Sequence, residues 1–169
     1  MRFQEFVADH HIQVLPADRF VGFTVDVELP PQWEQVDAPS GLRVWVWTDD
    51  PRKEVFCANA VLNLYRVQAS VDSGALFSTI CEQELQSVPN CRELYRNVSA
   101  ATEGPGVAGT LVLQIDHGVG TIDSATRSRI ISTEQETLIA ELTISALHDS
   151  IPEEPQFVLS VIPNNSKAQ

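Results

Sequence analysis

Hydrophobic and polar positions along this chain switch between two periods, and the switches mark its elements. Residues 2–11 set Phe3, Phe6, Val7 and His10 at helical spacing, which predicts a short opening helix that ends before Pro16. Residues 20–29 then alternate, with Phe23, Val25, Val27 and Leu29 on one side and Thr24, Asp26 and Glu28 on the other, the period of a half-buried strand stopped by Pro30-Pro31. Residues 42–48 alternate Val44 and Val46 against Arg43, Trp45 and Trp47. A third strand over 55–67 puts Phe56, Ala58, Ala60, Leu62 and Leu64 on one face and Cys57, Asn59, Val61, Asn63 and Tyr65 on the other.

The period changes over 73–88, where Leu76, Phe77, Ile80, Cys81, Glu84, Leu85 and Val88 recur at helical spacing behind Asp72 or Ser73 as N-cap. Strands over 93–101 and 110–117 flank Gly104-Pro105-Gly106 and form a hairpin, with Leu111, Leu113 and Ile115 opposing Val112, Gln114 and Asp116. A second hairpin joins 127–133 to 137–146 through Glu134-Gln135-Glu136. Its last strand sets Leu138, Ala140, Leu142, Ile144 and Ala146 against Thr137, Ile139, Glu141, Thr143 and Ser145. Residues 156–162 read as a short closing helix begun by Pro155. The order of elements predicts a single α+β domain over residues 1–163, with a frayed tail at 164–169. Its sheet is mostly antiparallel, of about six to seven strands, and covered by two to three helices.

Composition narrows the function classes. Eleven Lys and Arg against 23 Asp and Glu leave a formal charge of −12, which repels phosphate backbones and anionic headgroups, so no nucleic-acid partner is expected. No apolar run approaches the roughly 20 residues of a membrane span. The N-terminus shows no apolar stretch followed by a cleavage site, so a cytoplasmic location is expected. Cys57, Cys81 and Cys91 share no CxxC spacing and read as structural thiols, with Cys91 in a loop where it could be exposed.

Candidate chemistry is sparse. Asp9, His10 and His11 are dense, but adjacent helical positions point about 100° apart, which is wrong for one metal ion. Asp116-His117-Gly118 closes a strand without any G-x-S-x-G nucleophile turn, so His117 reads as turn chemistry. The pair Asp26 and Glu28 shares a strand face and Asp49 and Asp50 share a loop; both pairs read as solvated charge. The run Gly104-Pro105-Gly106-Val107-Ala108-Gly109 lacks the Lys of a phosphate loop, and Pro105 removes a backbone donor, so it reads as a hairpin turn. Neither a cofactor nor a metal is expected, and no catalytic residue is assigned.

The opening helix ending His11-Ile12-Gln13, the phrase Leu29-Pro30-Pro31-Gln32-Trp33-Glu34 after a strand, the alternating third strand, the helix ending Leu85-Gln86-Ser87-Val88-Pro89-Asn90 and the two closing hairpins together resemble the LpqN family of mycobacterial lipoproteins. The resemblance spans nearly the whole chain, and Leu29 to Trp33 is its most specific motif. It implies a PsbP-like α/β/α sandwich that binds partners or apolar ligands without catalysis, in a setting linked to the cell envelope or secretion. It carries no catalytic residues to this chain. Against the lipoprotein pattern, the chain is expected to lack a signal peptide and a lipobox cysteine, Cys57 being the first cysteine of the sequence.

Alternation places Trp45, Trp47, Val61, Tyr65, Val112 and Ile139 opposite the main core, where, if aligned across strands, they form an apolar, aromatic face. Coverage by the first or last helix, a homodimer or protein-partner interface, and a pocket for an apolar small molecule are its three candidate explanations. The expected function is therefore a non-enzymatic binding or interaction module using these six residues. An apolar small-molecule carrier and a small hydrolase using carboxylates and His117 are the alternatives.

Overall fold

The computed structural model describes residues 14–39, 41–150 and 157–164. In chain order the elements are β1 (Val14–Pro16), β2 (Phe23–Glu28), β3 (Trp33–Val36), β4 (Leu42–Trp47), β5 (Asn59–Val67), α1 (Ser73–Ser87), β6 (Cys91–Ala100), β7 (Val107–His117), β8 (Gly120–Ser132), β9 (Thr137–Leu147) and β10 (Val158–Pro163). Eight strands build one antiparallel sheet in the order β3-β4-β5-β9-β8-β7-β6, with β1 pairing the end of β5 beyond the reach of β4; β10 and β2 form a separate two-stranded ribbon.

Strands β6 to β9 form a continuous meander because each connection is short. His117 pairs with Gly120 across a two-residue turn, and Thr133 closes the next one by donating to the carbonyl of Glu136 at 2.8 Å. The β6–β7 turn requires glycine. Gly106 has φ 88°, and a Cβ there would stand 2.1 Å from the Ile130 carbonyl oxygen. The Gly104–Gly109 run is thus the hairpin turn and strand start that its residues predict.

Helix α1 packs on one face of the sheet, against β6, β7 and β8, through Leu76, Phe77 and Cys81. Asp72 caps it, its side chain accepting from Ala75 N at 2.8 Å. Buried Thr137 ties the β5–α1 connection down: its hydroxyl accepts from Val71 N at 3.0 Å and donates to the carbonyl of Ala69 at 2.8 Å. The ribbon covers the other face, where Val25, Phe157 and Val161 close over Ala60, Leu62, Leu64, Leu138, Ala140, Leu142 and Ile144.

Three expectations change. Residues 158–163 are strand, not a closing helix: Leu159 and Val161 turn inward while Ser160 and Ile162 pair outward across β2, and a short apolar run is ambiguous in period. Among the described residues there is one helix, against two to three, and the main sheet has eight strands, against six to seven, with β2 and β10 apart from it, so the second covering layer is a β-ribbon. The predicted opening helix lies outside the described residues. Asp50 is not solvated; it is 2% exposed and accepts from Arg52 N and Ala58 N at 2.9 and 2.8 Å, bracing the β4–β5 connection. Beyond Pro163, Asn164 N donates to the carbonyl of Gly22 at 2.8 Å.

Candidate functional site

The deepest chemistry lies where α1 approaches β5 and β9. That approach depends on Gly109 of β7, where a Cβ would lie 2.3 Å from the Phe77 ring; the missing side chain is the seat of the ring. With Phe77 and Cys81 fixed, one helical turn further on Glu84 points along the same inward stripe. Across from it Glu141 stands in the middle of β9, flanked in register by Asn63 on β5 and Ser128 on β8, and one pleat from Ile139, which pairs Tyr65.

These residues open a cleft of about 310 Å³ walled by Val14, Tyr65, Ile80 and Ile139, with Gln83, Glu84 and Glu141 supplying polar atoms. A narrower crevice continues inward past Thr126, Ser128 and Thr143. Among the described residues no hydrogen bond or ion pair engages either carboxylate, and Gln83 Oε1 is buried without a partner. Glu141 keeps some solvent contact at the cleft, yet protein atoms surround its carboxyl closely. Burial pushes its pKa up to about 7, and the neighbouring Glu84 charge adds to the rise. Burial also raises Glu84. The Tyr65 phenol is raised by burial first and then by the Glu141 and Glu84 carboxylates. Three acceptor-bearing side chains and a phenol therefore converge on an apolar cleft.

Only part of the predicted aromatic face assembles. Register sets Val44 opposite Val61 and Tyr65 opposite Ile139 on the α1 side, but sets Trp45 opposite Ala60 and Val112 opposite Ala125 on the ribbon side. Tyr65 and Ile139 line the cleft and Val61 shares their face; Trp45, Trp47 and Val112 stand on the reverse of the sheet. There Trp33 stacks on Trp47 at 6.4 Å between ring centres and meets Phe157 edge-on at 5.0 Å. Alternation fixes the two sides within each strand, while only cross-strand register says which sides coincide. Glu84 and Glu141 were missed as functional residues; the sequence carried a signal only for Glu84, which interrupts an otherwise apolar helical stripe, whereas Glu141 shares its side of the strand with Thr137, Thr143 and Ser145.

Other candidates separate from the cleft. His117 is exposed and its Nδ1 accepts from Val119 N at 3.3 Å, so it serves its own turn and borders none of the described clefts. Cys81 is buried, its thiol pushed up to about 11 by desolvation, while Cys57 and Cys91 are half-buried. Among the described residues, no three His, Cys, Asp or Glu side chains gather as a metal site needs, and Asp9, His10 and His11 lie outside them. No described helix is long and apolar enough to cross a membrane.

No curated protein sequence matches the chain. Its structure is similar to that of LpqN from Mycobacterium tuberculosis, a protein described as involved in cell envelope biogenesis. The TM-score is 0.70 at 21% identity, over 94% of this chain and 98% of that one. A structure from Bacteroides thetaiotaomicron aligns at TM-score 0.40 and 10% identity over 77% of this chain and 41% of that one, too distant to carry an argument. The profile of the family described as probable lipoprotein LpqN matches residues 1–154, and the chain belongs to that family.

Proposed function

We propose that this protein is a non-catalytic binding module whose ligand site is the cleft between α1 and strands β5 and β9. The observation that carries this reading is the pair of carboxyl groups, Glu84 and Glu141, which lie without partners in a cleft with apolar walls. Burying a carboxylate costs several kcal/mol unless it is paired or protonated, so a fold that keeps two together at one cleft is built to meet something there.

The walls and the polar groups define the ligand. Val14, Ile80 and Ile139 suit an apolar body of modest size, since the cleft is at the small end of ligand pockets. Glu84, Glu141 and Gln83 Oε1 are acceptors, so the head group must donate, and a protonated amine complements both the geometry and the acidic charge. Tyr65 and Ile139 are the two residues of the predicted set that serve this site. Family membership supports a role connected with the cell envelope, the setting described for the Mycobacterium tuberculosis relative.

Hexylamine and hexanoate, with one chain length and opposite head charges, test the reading by thermal shift. Hexylamine should raise the melting temperature saturably and hexanoate should not. Glu141→Gln should weaken the amine response about tenfold, the effect of losing a charge-assisted hydrogen bond. Equal responses to both compounds, or an unchanged response in the variant, would refute it. Native mass spectrometry of protein purified without refolding would reveal any ligand carried along.

A further inference from the structure

The ribbon side of the sheet carries its own unmatched charge. Strand β8 turns Arg127 and Arg129 toward the ribbon, level with Thr110 and Ala108 of β7 and with Leu142 and Ala140 of β9. Arg129 is 5% exposed. Its Nη2 donates to the carbonyl of Pro105 at 2.9 Å, but its Nε is buried and meets no acceptor. Arg127, at the rim, makes no ion pair or hydrogen bond among the described residues.

Among the described residues neither arginine meets a carboxylate, which is unexpected in a chain with 23 carboxylates and 11 cations. Arg66 and Arg96, by contrast, are held by Glu136 and by Glu82 and Glu93. The ribbon's own acids do not supply the partner, because Asp26 pairs Ser160 and Glu28 pairs Val158 on its outer, exposed side. Glu103 reaches Arg129 only as a distant attraction, and burial holds the guanidinium below its ordinary pKa without neutralising it. Beside the two arginines a groove of about 170 Å³ opens between β8 and β10, bounded by Ala108, Thr110, Phe157 and Leu159. That volume is the liquid share of about five or six water molecules, enough for an oxyanion and a short apolar attachment.

We propose that this groove is an anion-binding site in which the guanidinium groups of Arg129 and Arg127 hold the oxyanion head, phosphate or carboxylate, of a small molecule whose carbon part lies against Phe157 and Leu159. The planar forks of the two arginines suit either head group, and Thr110 offers a hydroxyl donor at the same level. The site is on the reverse of the sheet from the acidic cleft and does not depend on the function proposed for that cleft.

Sodium phosphate and sodium acetate, each titrated into the full-length protein against sodium chloride at matched ionic strength, test the proposal and distinguish the two head groups. The anion that binds should raise the melting temperature saturably and shift the Arg129 Nε–H resonance. Arg127→Ala, an exposed change that spares the fold, should weaken the apparent affinity about tenfold. Arg129→Met should keep a cooperative melt and lose the response. No saturable response to either anion, or the same response in both variants, would mean adventitious ion binding only and would overturn the proposal.

Discussion

Helix α1 and the β2–β10 ribbon cover opposite faces of one sheet, and each leaves a different chemistry beside its cover. Beside the helix are two carboxyl groups that meet no donor among the described residues; beside the ribbon are two guanidinium groups that meet no carboxylate there, Arg129 donating only to the carbonyl of Pro105. The difference lies in what each can do about isolation. A buried carboxyl can take a proton, and Glu141 does so at about pH 7. A guanidinium cannot lose its proton at any ordinary pH, so Arg129 stays charged in its groove. The helix side is therefore the pH-sensitive face, and the ribbon side is the face whose charge calls most directly for a counter-ion.

The covers themselves can be broken separately. Phe77→Ala should cost about 3–5 kcal/mol, the usual loss for a buried phenyl ring, and should loosen α1 first. Hydrogen exchange should then quicken in Ser73–Ser87 ahead of β2 and β10. Simultaneous loss of protection across both covers would show that the faces are not independent. Gly109→Ala attacks the same contact from the sheet by overpacking and should cost about 1–3 kcal/mol. Val161→Ala, in the ribbon, should cost about 1–3 kcal/mol and reverse the order of exchange.

The pH dependence sharpens the contrast. Glu141 is raised in the folded protein, so the folded state binds its proton more tightly than the unfolded chain. Its contribution is fully present below the ordinary glutamate range near pH 4.5 and is lost as pH rises through about 7. Glu141→Gln should therefore stabilise the protein at pH 8 relative to pH 5. The full shift corresponds to about 3 kcal/mol, and coupling to Glu84 and partial solvent contact reduce the expected gain to about 1–2 kcal/mol. Melting curves of both proteins at the two pH values would show it, and a difference independent of pH would contradict the assignment. The smallest effect belongs to His148, whose hydrogen bond to Asp123 at 2.7 Å raises its pKa at an exposed site. Its support is present below the ordinary histidine range and fades as pH rises through the raised value, so His148→Gln should leave only a slight change, confined to mildly acid pH.

Much of this arrangement was legible in residue patterns, and the parts that were not share a cause. Helix α1 and strands β2, β4, β5, β7 and β9 follow from period alone, because each has a run with one consistent side, and β6 follows from the turn that joins it to β7. The first half of β8 was hidden, since Ser124, Thr126 and Ser128 face the helix where apolar residues would have announced a strand. The ribbon strand β10 was hidden because its partner β2 lies more than a hundred residues away. The same non-local register divided the expected aromatic face, sending Trp45, Trp47 and Val112 to the reverse of the sheet from Val61, Tyr65 and Ile139. Glu84 was on the page as a member of the helical stripe, but only Glu141 across the cleft makes it a site. Arg127 and Arg129 look like ordinary polar positions of a strand until β10 closes over them.

The central claim is that the two faces hold two separate sites of opposite charge. Backbone amide shifts of one labelled sample, titrated first with hexylamine and then with inorganic phosphate, test it most directly. Hexylamine should move Tyr65, Ile80, Glu84, Ile139 and Glu141, and phosphate should move Thr110, Arg127, Arg129 and Leu159, with each set still under the other ligand. Shifts from both ligands in one set, or scattered across exposed residues outside either cleft, would contradict the account.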